Sequence, residues 1–312
     1  MDAIVSRPHY LDHVLPVWDA LGRPGRLLVD RSLSKRPDAM GRGAQALCRG
    51  RGPAIVAGWL DLHRARALGY GPFVLMQHGA GQSYPGDARS ARSHSYAGAR
   101  DHDDVALFVV PGPDPARRWA ERYPTARIVM AGNLKPLPAR EGEPGHVVAV
   151  TFHWPCALVP ETGSAWHDFR DAVRELSIRA TVLGHWHPRW GDHLRRWYES
   201  VGIEPVASLD EIARRSDVLV ADNTSAIYEY ADTGRPVVLM NSPRYRRDID
   251  HGLRFWGASH VGLHVDDPAR LWDGVRMAMV DPPGVRWARN HALSMVYAPG
   301  DTRAVVEAIE AM

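Results

Sequence analysis

The stretch Ser216-Asp-Val-Leu-Val-Ala-Asp-Asn-Thr-Ser-Ala-Ile-Tyr-Glu-Tyr-Ala-Asp-Thr-Gly-Arg-Pro-Val-Val-Leu-Met240 decides the fold class of this chain. An apolar run over 218–221 predicts a short buried strand, and the polar residues after it lead into a helix that begins near Ala226 and ends at Gly234. A second apolar strand follows from Val237. This order predicts a βαβ unit, in which a helix connects two parallel strands.

The junction between the first strand and the helix carries four polar residues, Asp222, Asn223, Thr224 and Ser225. Free backbone N–H groups and the helix dipole at a helix N-terminus favour an anion such as a phosphate. We therefore predict that these four residues bind the phosphate of a ligand. The alternative is that Asp222, Thr224 or Ser225 only caps the helix.

Apolar runs of strand length recur along the chain, with amphipathic segments between many of them. They lie at 54–57, 73–76, 105–110, 128–130, 147–152, 181–183, 218–220 and 237–240. Such alternation is typical of parallel sheets covered by helices, which is the α/β class. The segment 136–145 is rich in Pro, Gly and charge and predicts a linker between two domains, 1–140 and 141–312. A helix is predicted over 301–312. It is part of the second domain by its position in the sequence, and the alternative is that it packs against the first domain.

The composition is that of a globular protein: of the 312 residues, 45% are hydrophobic and 24% are charged. Lys and Arg total 38 against 36 Asp and Glu, so the net charge of +2 gives no general electrostatic case for a nucleic-acid or anionic-membrane partner. Cys48 and Cys156 are the only cysteines, which excludes a disulfide scaffold and fits reduced thiols in a cytosol, with a single bridge between them as the alternative. No run reaches the ~18 apolar residues needed to span a bilayer, so we expect no integral membrane segment. We expect a cytoplasmic protein that touches a membrane at most peripherally.

The predicted strand at 73–76 ends in Gln77-His78 and opens into a turn that contains Gly79 and Gly81. A His at the C-terminal end of a strand is well placed as a general base, because its unperturbed pKa lies near neutral pH. The two glycines allow the backbone to approach a ligand closely. The alternative is a structural His in a tight turn.

The run Gly184-His185-Trp186-His187-Pro188 follows another predicted strand, so both imidazoles can bind phosphate oxygens or a metal ion. It resembles the last metal-binding motif of calcineurin-like metallophosphoesterases, and Asp61-Leu-His63 matches the first one. The acidic motif expected between the two is missing. Asp61-Leu-His63 also falls in a predicted helix, where we expect it to form a solvated face.

Five motifs in order resemble the CDP-glycerol glycerophosphotransferase family, the teichoic-acid group of enzymes with a GT-B-like fold. They are Gln77-His78-Gly79, Met130-Ala-Gly-Asn-Leu-Lys135, Ala149-Val-Thr-Phe-His-Trp154, His187-Pro188 and the stretch from Ser216 to Ser225 with its following strand. The resemblance is best over residues 180–245. The chain departs from the family where Ala80-Gly-Gln-Ser83 lacks the usual Lys and where Thr224 replaces the first Ser of a pair.

The resemblance implies two Rossmann-like domains of GT-B type with an interdomain cleft, and no essential metal or other cofactor. It assigns His78 as the base, His187 as a donor-phosphate contact, and Asp222, Thr224 and Ser225 as the phosphate-binding loop. Arg244 and Arg247 lie in a predicted loop after a strand, where they would add phosphate contacts or be ordinary surface residues.

The sequence thus predicts a transferase that moves a glycerophosphate or glycosyl group from a CDP- or UDP-linked donor to an acceptor hydroxyl. The acceptor classes left open are a polymer, a lipid-linked molecule and a modified nucleic-acid base. Two alternatives to this function remain at this point. One is a metallophosphoesterase, and the other is a nucleotide-binding module without catalytic activity.

Overall fold

The computed structural model describes residues 1–29, 39–40, 50–80, 102–155, 164–243 and 260–312. Cys48, Gly81, Cys156, Arg244 and Arg247 lie outside the described residues. The chain divides into two compact units. Unit 1 comprises Met1–Lys135 and Met295–Met312, and unit 2 comprises Pro136–Ser294.

The described residues form strands and helices that alternate along much of the chain. The strands are β1 Asp2–Val5, β2 Leu27–Val29, β3 Ala39–Met40, β4 Ala54–Val56, β5 Phe73–Met76, β6 Val105–Val110, β7 Arg127–Met130, β8 Val148–Phe152, β9 Val182–Trp186, β10 Glu204–Pro205, β11 Val218–Ala221, β12 Val237–Met240 and β13 Leu263–Val265. The α-helices are α1 Pro8–Ala20, α2 Trp59–Ala67, α3 Pro113–Arg122, α4 Trp166–Arg179, α5 Gly191–Ser200, α6 Leu209–Arg215, α7 Ala226–Ala231, α8 Leu271–Val280, α9 Pro283–Val296 and α10 Thr302–Glu310.

Unit 1 is built on a seven-stranded parallel sheet in the order β3-β2-β1-β4-β5-β6-β7. Its strands are apolar and mostly buried because helices cover both faces. On one face α1 and α10 contribute Val14, Val17 and Val305 to a core with the sheet. On the other face α2 and α3 contribute Leu62 and Trp119. These two cores are the layered arrangement expected of a Rossmann-like unit.

Unit 2 contains a six-stranded parallel sheet in the order β10-β9-β8-β11-β12-β13. The βαβ unit predicted over 216–240 is confirmed, because β11 and β12 pair in parallel and α7 connects them. Gly234 adopts a φ of +81° after that helix, a left-handed conformation that glycine accepts readily. The α/β fold class predicted from the sequence is therefore confirmed in both sheets.

Helix boundaries and strand lengths differ from the predicted ones at a few places. Helix α6 begins after Ser208, whose hydroxyl caps it by accepting a hydrogen bond from the Glu211 N–H at 3.3 Å. The strand predicted over 181–183 is longer, because β9 continues to Trp186 in parallel with β8. His185 therefore lies within the strand.

No helix in the described ranges combines the length and the apolar composition that crossing a lipid bilayer requires.

Gly184 in β9 is a position where the fold requires the absence of a side chain. A Cβ there would lie 2.5 Å from the ring of Tyr198, which is fully buried and donates a hydrogen bond to the His185 carbonyl at 2.9 Å. We predict that Gly184→Ala lowers the free energy of unfolding by about 1–3 kcal/mol, because overpacking displaces the ring. Urea denaturation measures the change. Gly284→Ala is the control, since nothing lies within 4 Å of its Cβ position, and an equal effect of the two substitutions would contradict this account.

Candidate functional site

Polar side chains gather at the carboxyl edge of the unit 2 sheet, where β9, β8 and β11 lie side by side. His153 and Trp154 follow β8, His187 follows β9, and residues 222–225 follow β11. The rings of His153 and His187 are 5.3 Å apart. This edge is where parallel α/β sheets bind ligands, so it is a candidate ligand site, and a site for the donor if the prediction from the sequence holds.

Asp222 connects three parts of this edge. Its side chain is buried, and Oδ1 accepts a hydrogen bond from the His153 backbone N–H at 2.7 Å. Oδ2 accepts hydrogen bonds from the Ala165 backbone N–H at 2.9 Å and from the Ser164 hydroxyl at 3.2 Å. Both carboxylate oxygens thus bind protein donors, which joins the end of β8 and the start of α4 to the end of β11.

The loop between β11 and α7 presents two hydroxyl groups with different surroundings. Thr224 is buried, and its hydroxyl accepts a long hydrogen bond of 3.4 Å from the Ala226 backbone N–H. Ser225 is half-buried and is the N-cap residue of α7, but its side chain makes no capping hydrogen bond. Thr224 therefore makes one long hydrogen bond to the start of the helix, and the side chain of Ser225 does not cap it.

His187 and His185 differ in their hydrogen bonds. Nδ1 of His187 accepts a hydrogen bond from the Arg189 backbone N–H at 3.2 Å, so the neutral ring carries its proton on Nε2. That Nε2–H group is a donor of the kind that a phosphate oxygen accepts. Nδ1 of His185 lies 2.9 Å from the hydroxyl of Thr151, which belongs to the neighbouring strand β8. The Arg189 guanidinium lies 4.6 Å from the ring centre of Trp154.

In unit 1 the predicted base His78 follows β5 and is buried. Its Nδ1 is hydrogen-bonded to the Ala57 carbonyl, which can only accept, so Nδ1 carries the proton and Nε2 is the nitrogen that can take up another. The Tyr10 ring lies against the imidazole with ring centres 3.7 Å apart. Gly79 follows with a φ of +92°, a left-handed conformation that favours glycine.

The sequence-based interpretation placed Asp61 and His63 on a solvated face of a helix. His63 is exposed, but Asp61 of α2 is fully buried, so the interpretation is wrong for Asp61. Its carboxylate accepts a hydrogen bond from the Ser6 backbone N–H at 2.9 Å. Burial raises the pKa of Asp61 to about 7, and hydrogen bonds from Ser6 and Ala57 oppose that rise. Asp61 and His78 thus both contact Ala57.

A pocket in unit 1 was not predicted from the sequence. It lies where β5, β6 and β7 end, and His13 of α1 lines it together with Gln77, Asn133 and Tyr297. Burial, the positive charge of Lys135 and the neighbouring His9 lower the pKa of His13 to about 4, which the charge of Asp12 opposes. The available signal was the spacing of His9 and His13, one helical turn apart directly after a strand.

The two motifs that resemble those of metallophosphoesterases fall in different units. Asp61 belongs to unit 1 and the pair His185 and His187 to unit 2. In the described parts of the chain, no group of three or more His, Cys, Asp or Glu side chains could hold a metal ion.

Solved structures resemble this chain in fold. The wall teichoic acid polymerase TagF soaked with CDPG matches with a TM-score of 0.60 and 13% identity, over 99% of this chain and 88% of that one. A structure of S. aureus MnaA with UDP matches with a TM-score of 0.62 and 13% identity, over 99% and 95%. The UDP-GlcNAc 2-epimerase of Neisseria meningitidis bound to UDP-GlcNAc matches with a TM-score of 0.60 and 10% identity, over 100% and 99%.

The chain has a GT-B-type α/β fold. The resemblance to the teichoic-acid group noted from the sequence motifs is thereby confirmed at the level of fold. No protein-family model matches the chain, and no curated protein sequence matches it significantly.

The buried carboxylate of Asp61 predicts a dependence of stability on pH. Its pKa rises from about 4 in the unfolded chain to about 7 in the folded one, so the folded state keeps the proton to higher pH. The favourable contribution of Asp61 to the free energy of unfolding is complete below about pH 4, and up to about 4 kcal/mol of it is lost as the pH rises through 7.

Asp61→Asn, which stays neutral, should flatten the dependence of the free energy of unfolding on pH when urea unfolding is measured from pH 5 to 8. Asp19→Asn, at a partly exposed carboxylate of α1, should follow the wild type; an unchanged slope in Asp61→Asn would refute the assignment.

The three hydrogen bonds to Asp222 predict a large structural effect of its removal. Asp222→Ala leaves the buried N–H groups of His153 and Ala165 without their acceptor, so the free energy of unfolding should fall by about 3 kcal/mol or more. Urea denaturation followed by tryptophan fluorescence measures it. Asp171→Ala removes a carboxylate with 79% exposure from α4 and should change stability little. Equal stabilities of the two variants would show that the Asp222 bonds do not hold this edge together.

Proposed function

We propose that this chain is a transferase that moves a glycerophosphate or glycosyl group from a CDP- or UDP-linked donor to an acceptor hydroxyl. The observation that carries the proposal is the carboxyl edge of the unit 2 sheet, where the Ser225 hydroxyl and the His187 Nε2–H group follow neighbouring parts of one parallel sheet. The similar structures named above contain CDPG, UDP or UDP-GlcNAc, which supports a nucleotide donor.

In this proposal unit 2 binds the donor. His187, Asn223, Thr224 and Ser225 contact the phosphate groups, and His185 supports the same edge from β9. Donors at these positions stabilise the negative charge that grows on the leaving phosphate when the bond to the transferred group breaks. Asp222 acts as a positioning residue, because its oxygens hold the loop through protein donors and its charge would repel a phosphate.

In the same proposal unit 1 supplies the base. The acceptor oxygen attacks the transferred group, the nucleotide phosphate leaves with the bonding electrons, and the acceptor proton passes to Nε2 of His78. The hydrogen bond from Nδ1 to the Ala57 carbonyl orients the ring and stabilises the imidazolium that forms. Gly79, which has no side chain and a φ of +92°, follows the base directly. The alternative of a nucleotide-binding module without turnover differs in requiring no base.

The donor site can be tested by nucleotide binding. We expect CDP or UDP to raise the melting temperature of the protein more than GDP or ADP, equally with and without a chelator. Ser225→Ala and His187→Ala should each weaken binding about 10- to 100-fold, because a hydrogen bond to a charged group is worth about 1.5–3 kcal/mol. Ser294→Ala, at an exposed hydroxyl of α9, is the control. Wild-type affinity in both site variants, or loss of binding in chelator, would contradict the proposed donor site.

The role of His78 separates a transferase from a binding module. His78→Gln should lower the rate of transfer about 10²- to 10⁴-fold and leave nucleotide affinity unchanged, because an amide cannot take up the proton. His63→Gln, at an exposed imidazole of α2, should keep the wild-type rate. The readout is kcat with a CDP- or UDP-linked donor. Undiminished transfer by a folded His78→Gln protein would exclude His78 as the base.

A further inference from the structure

The imidazole of His78 is packed closely among other residues of unit 1, and only 7% of the residue is exposed. Its Nδ1 is hydrogen-bonded to the Ala57 carbonyl, and the centre of the Tyr10 ring lies 3.7 Å from the centre of the imidazole. A separation this short is possible only when one ring lies over the face of the other. The hydrogen bond therefore holds one edge of the imidazole, and the Tyr10 ring lies against it from another side.

Tyr10 lies beside a position that has no side chain. A Cβ on Gly58 would lie 2.9 Å from Cε2 of Tyr10 and 3.3 Å from its Cζ, which is too close for an undisturbed ring. Gly58 precedes α2 with a φ of −167°, an extended conformation that any residue adopts, so the close approach of Tyr10 is what requires glycine here. Space for the Tyr10 ring is therefore built into the turn before α2.

A hydrogen bond between two segments fixes the place of Tyr10. The Ser6 N–H, which lies between β1 and α1, donates to Oδ1 of Asp61 in α2 at 2.9 Å. Helix α1 then begins at Pro8, a residue that suits the first helical position, and Tyr10 follows in its first turn. The start of α1 is thereby tied to α2, the helix that follows Gly58.

The ionisable groups packed around His78 come from α1 and α2. The His9 ring of α1 lies 6.0 Å from the imidazole and 4.5 Å from the Tyr10 ring. Asp61 of α2 contacts Ala57, whose carbonyl holds His78. A positive charge on His9 would oppose one on His78, and a negative charge on Asp61 would favour it. The Tyr10 ring differs from both, because its π-face attracts a cation while the phenol stays neutral.

We propose that Tyr10 is a positioning residue for His78: its ring holds the imidazole with Nε2 ready for the acceptor proton, and its π-face stabilises the imidazolium that forms. An imidazole held by one hydrogen bond alone can still swing about that bond, and a second contact removes these unproductive orientations. The phenolic hydroxyl is not needed for either effect. The role of His78 as the base rests on the proposed transferase function, whereas the contact between the rings does not.

Steady-state kinetics on the full chain test this role. Tyr10→Leu should lower kcat about 2- to 30-fold, the range that corresponds to a cation–π contact, and leave KM for the nucleotide donor unchanged. Tyr10→Phe keeps the ring and should retain the wild-type kcat. Trp287→Leu is the control, because it removes an exposed ring that stacks on a different imidazole, that of His291 in α9.

NMR titration of the imidazole C–H signals measures the effect on His78 without any need for turnover. The His78 signals are identified by their absence from His78→Gln. Tyr10→Leu should lower the pKa of His78 relative to the wild type and to Tyr10→Phe, because the imidazolium loses the ring face that stabilises it. Trp287→Leu should leave the pKa of His78 unchanged.

Gly58→Ala disturbs the same ring from the side of α2. It should lower kcat in the wild type, and it should lower kcat less in Tyr10→Leu, which has a shorter side chain at the point of contact. The melting temperature identifies a variant that fails to fold, in which case the other variant decides. Effects of Gly58→Ala and Tyr10→Leu that simply add would overturn the positioning of His78 by Tyr10.

The remaining outcomes separate this proposal from the proposed function. Wild-type kcat or an unchanged pKa of His78 in folded Tyr10→Leu would overturn the positioning role, as would a loss in Tyr10→Phe as large as that in Tyr10→Leu. A wild-type protein without transfer activity, in which Tyr10→Leu still lowers the pKa of His78, would support the contact between the rings and overturn the transferase.

Discussion

The candidate donor site of unit 2 depends on one buried carboxylate, that of Asp222. Parallel strands end without a hairpin to join them, so the loops after them need other connections. Asp222 supplies these connections by accepting hydrogen bonds from the backbone after β8 and at the start of α4. Burying a charged carboxylate is costly unless its oxygens accept hydrogen bonds in this way. The positions of His153 and of the loop that carries Ser225 follow from that constraint.

Unit 1 contains a comparable arrangement built on Asp61. Asp61 also binds the backbone that follows a strand, since it accepts the Ser6 N–H directly after β1. Its Oδ2 has no hydrogen-bond partner among the described residues, whereas both oxygens of Asp222 have one. This difference explains why burial raises the pKa of Asp61 so far. The two units thus both use a buried carboxylate to join strand ends, and the pKa of the one in unit 1 is raised to about 7.

The sequence predicted the strands that are determined by nearby residues, and it missed the features that depend on residues far apart in the sequence. β5, β6 and β12 match the predicted ranges residue for residue, because long apolar runs between polar turns leave one interpretation. β10, an edge strand of only two residues, has no such pattern. Buried Asp61 is hydrogen-bonded to Ser6, 55 residues away, and the His13 pocket is assembled from separate strand ends. Neither could be found from spacing along the chain.

The division of unit 1 into two chain segments has a consequence for how the protein is made. Val305 and Ile309 of α10 are buried against α1 and the first sheet. In the sequence, the whole of unit 2 lies between that sheet and α10. During translation the first sheet therefore emerges with this apolar face incomplete, and unit 2 is synthesised in full before α10 can cover it. Unit 1 can therefore complete its core only after unit 2 has been synthesised, even though the first sheet leaves the ribosome before the second.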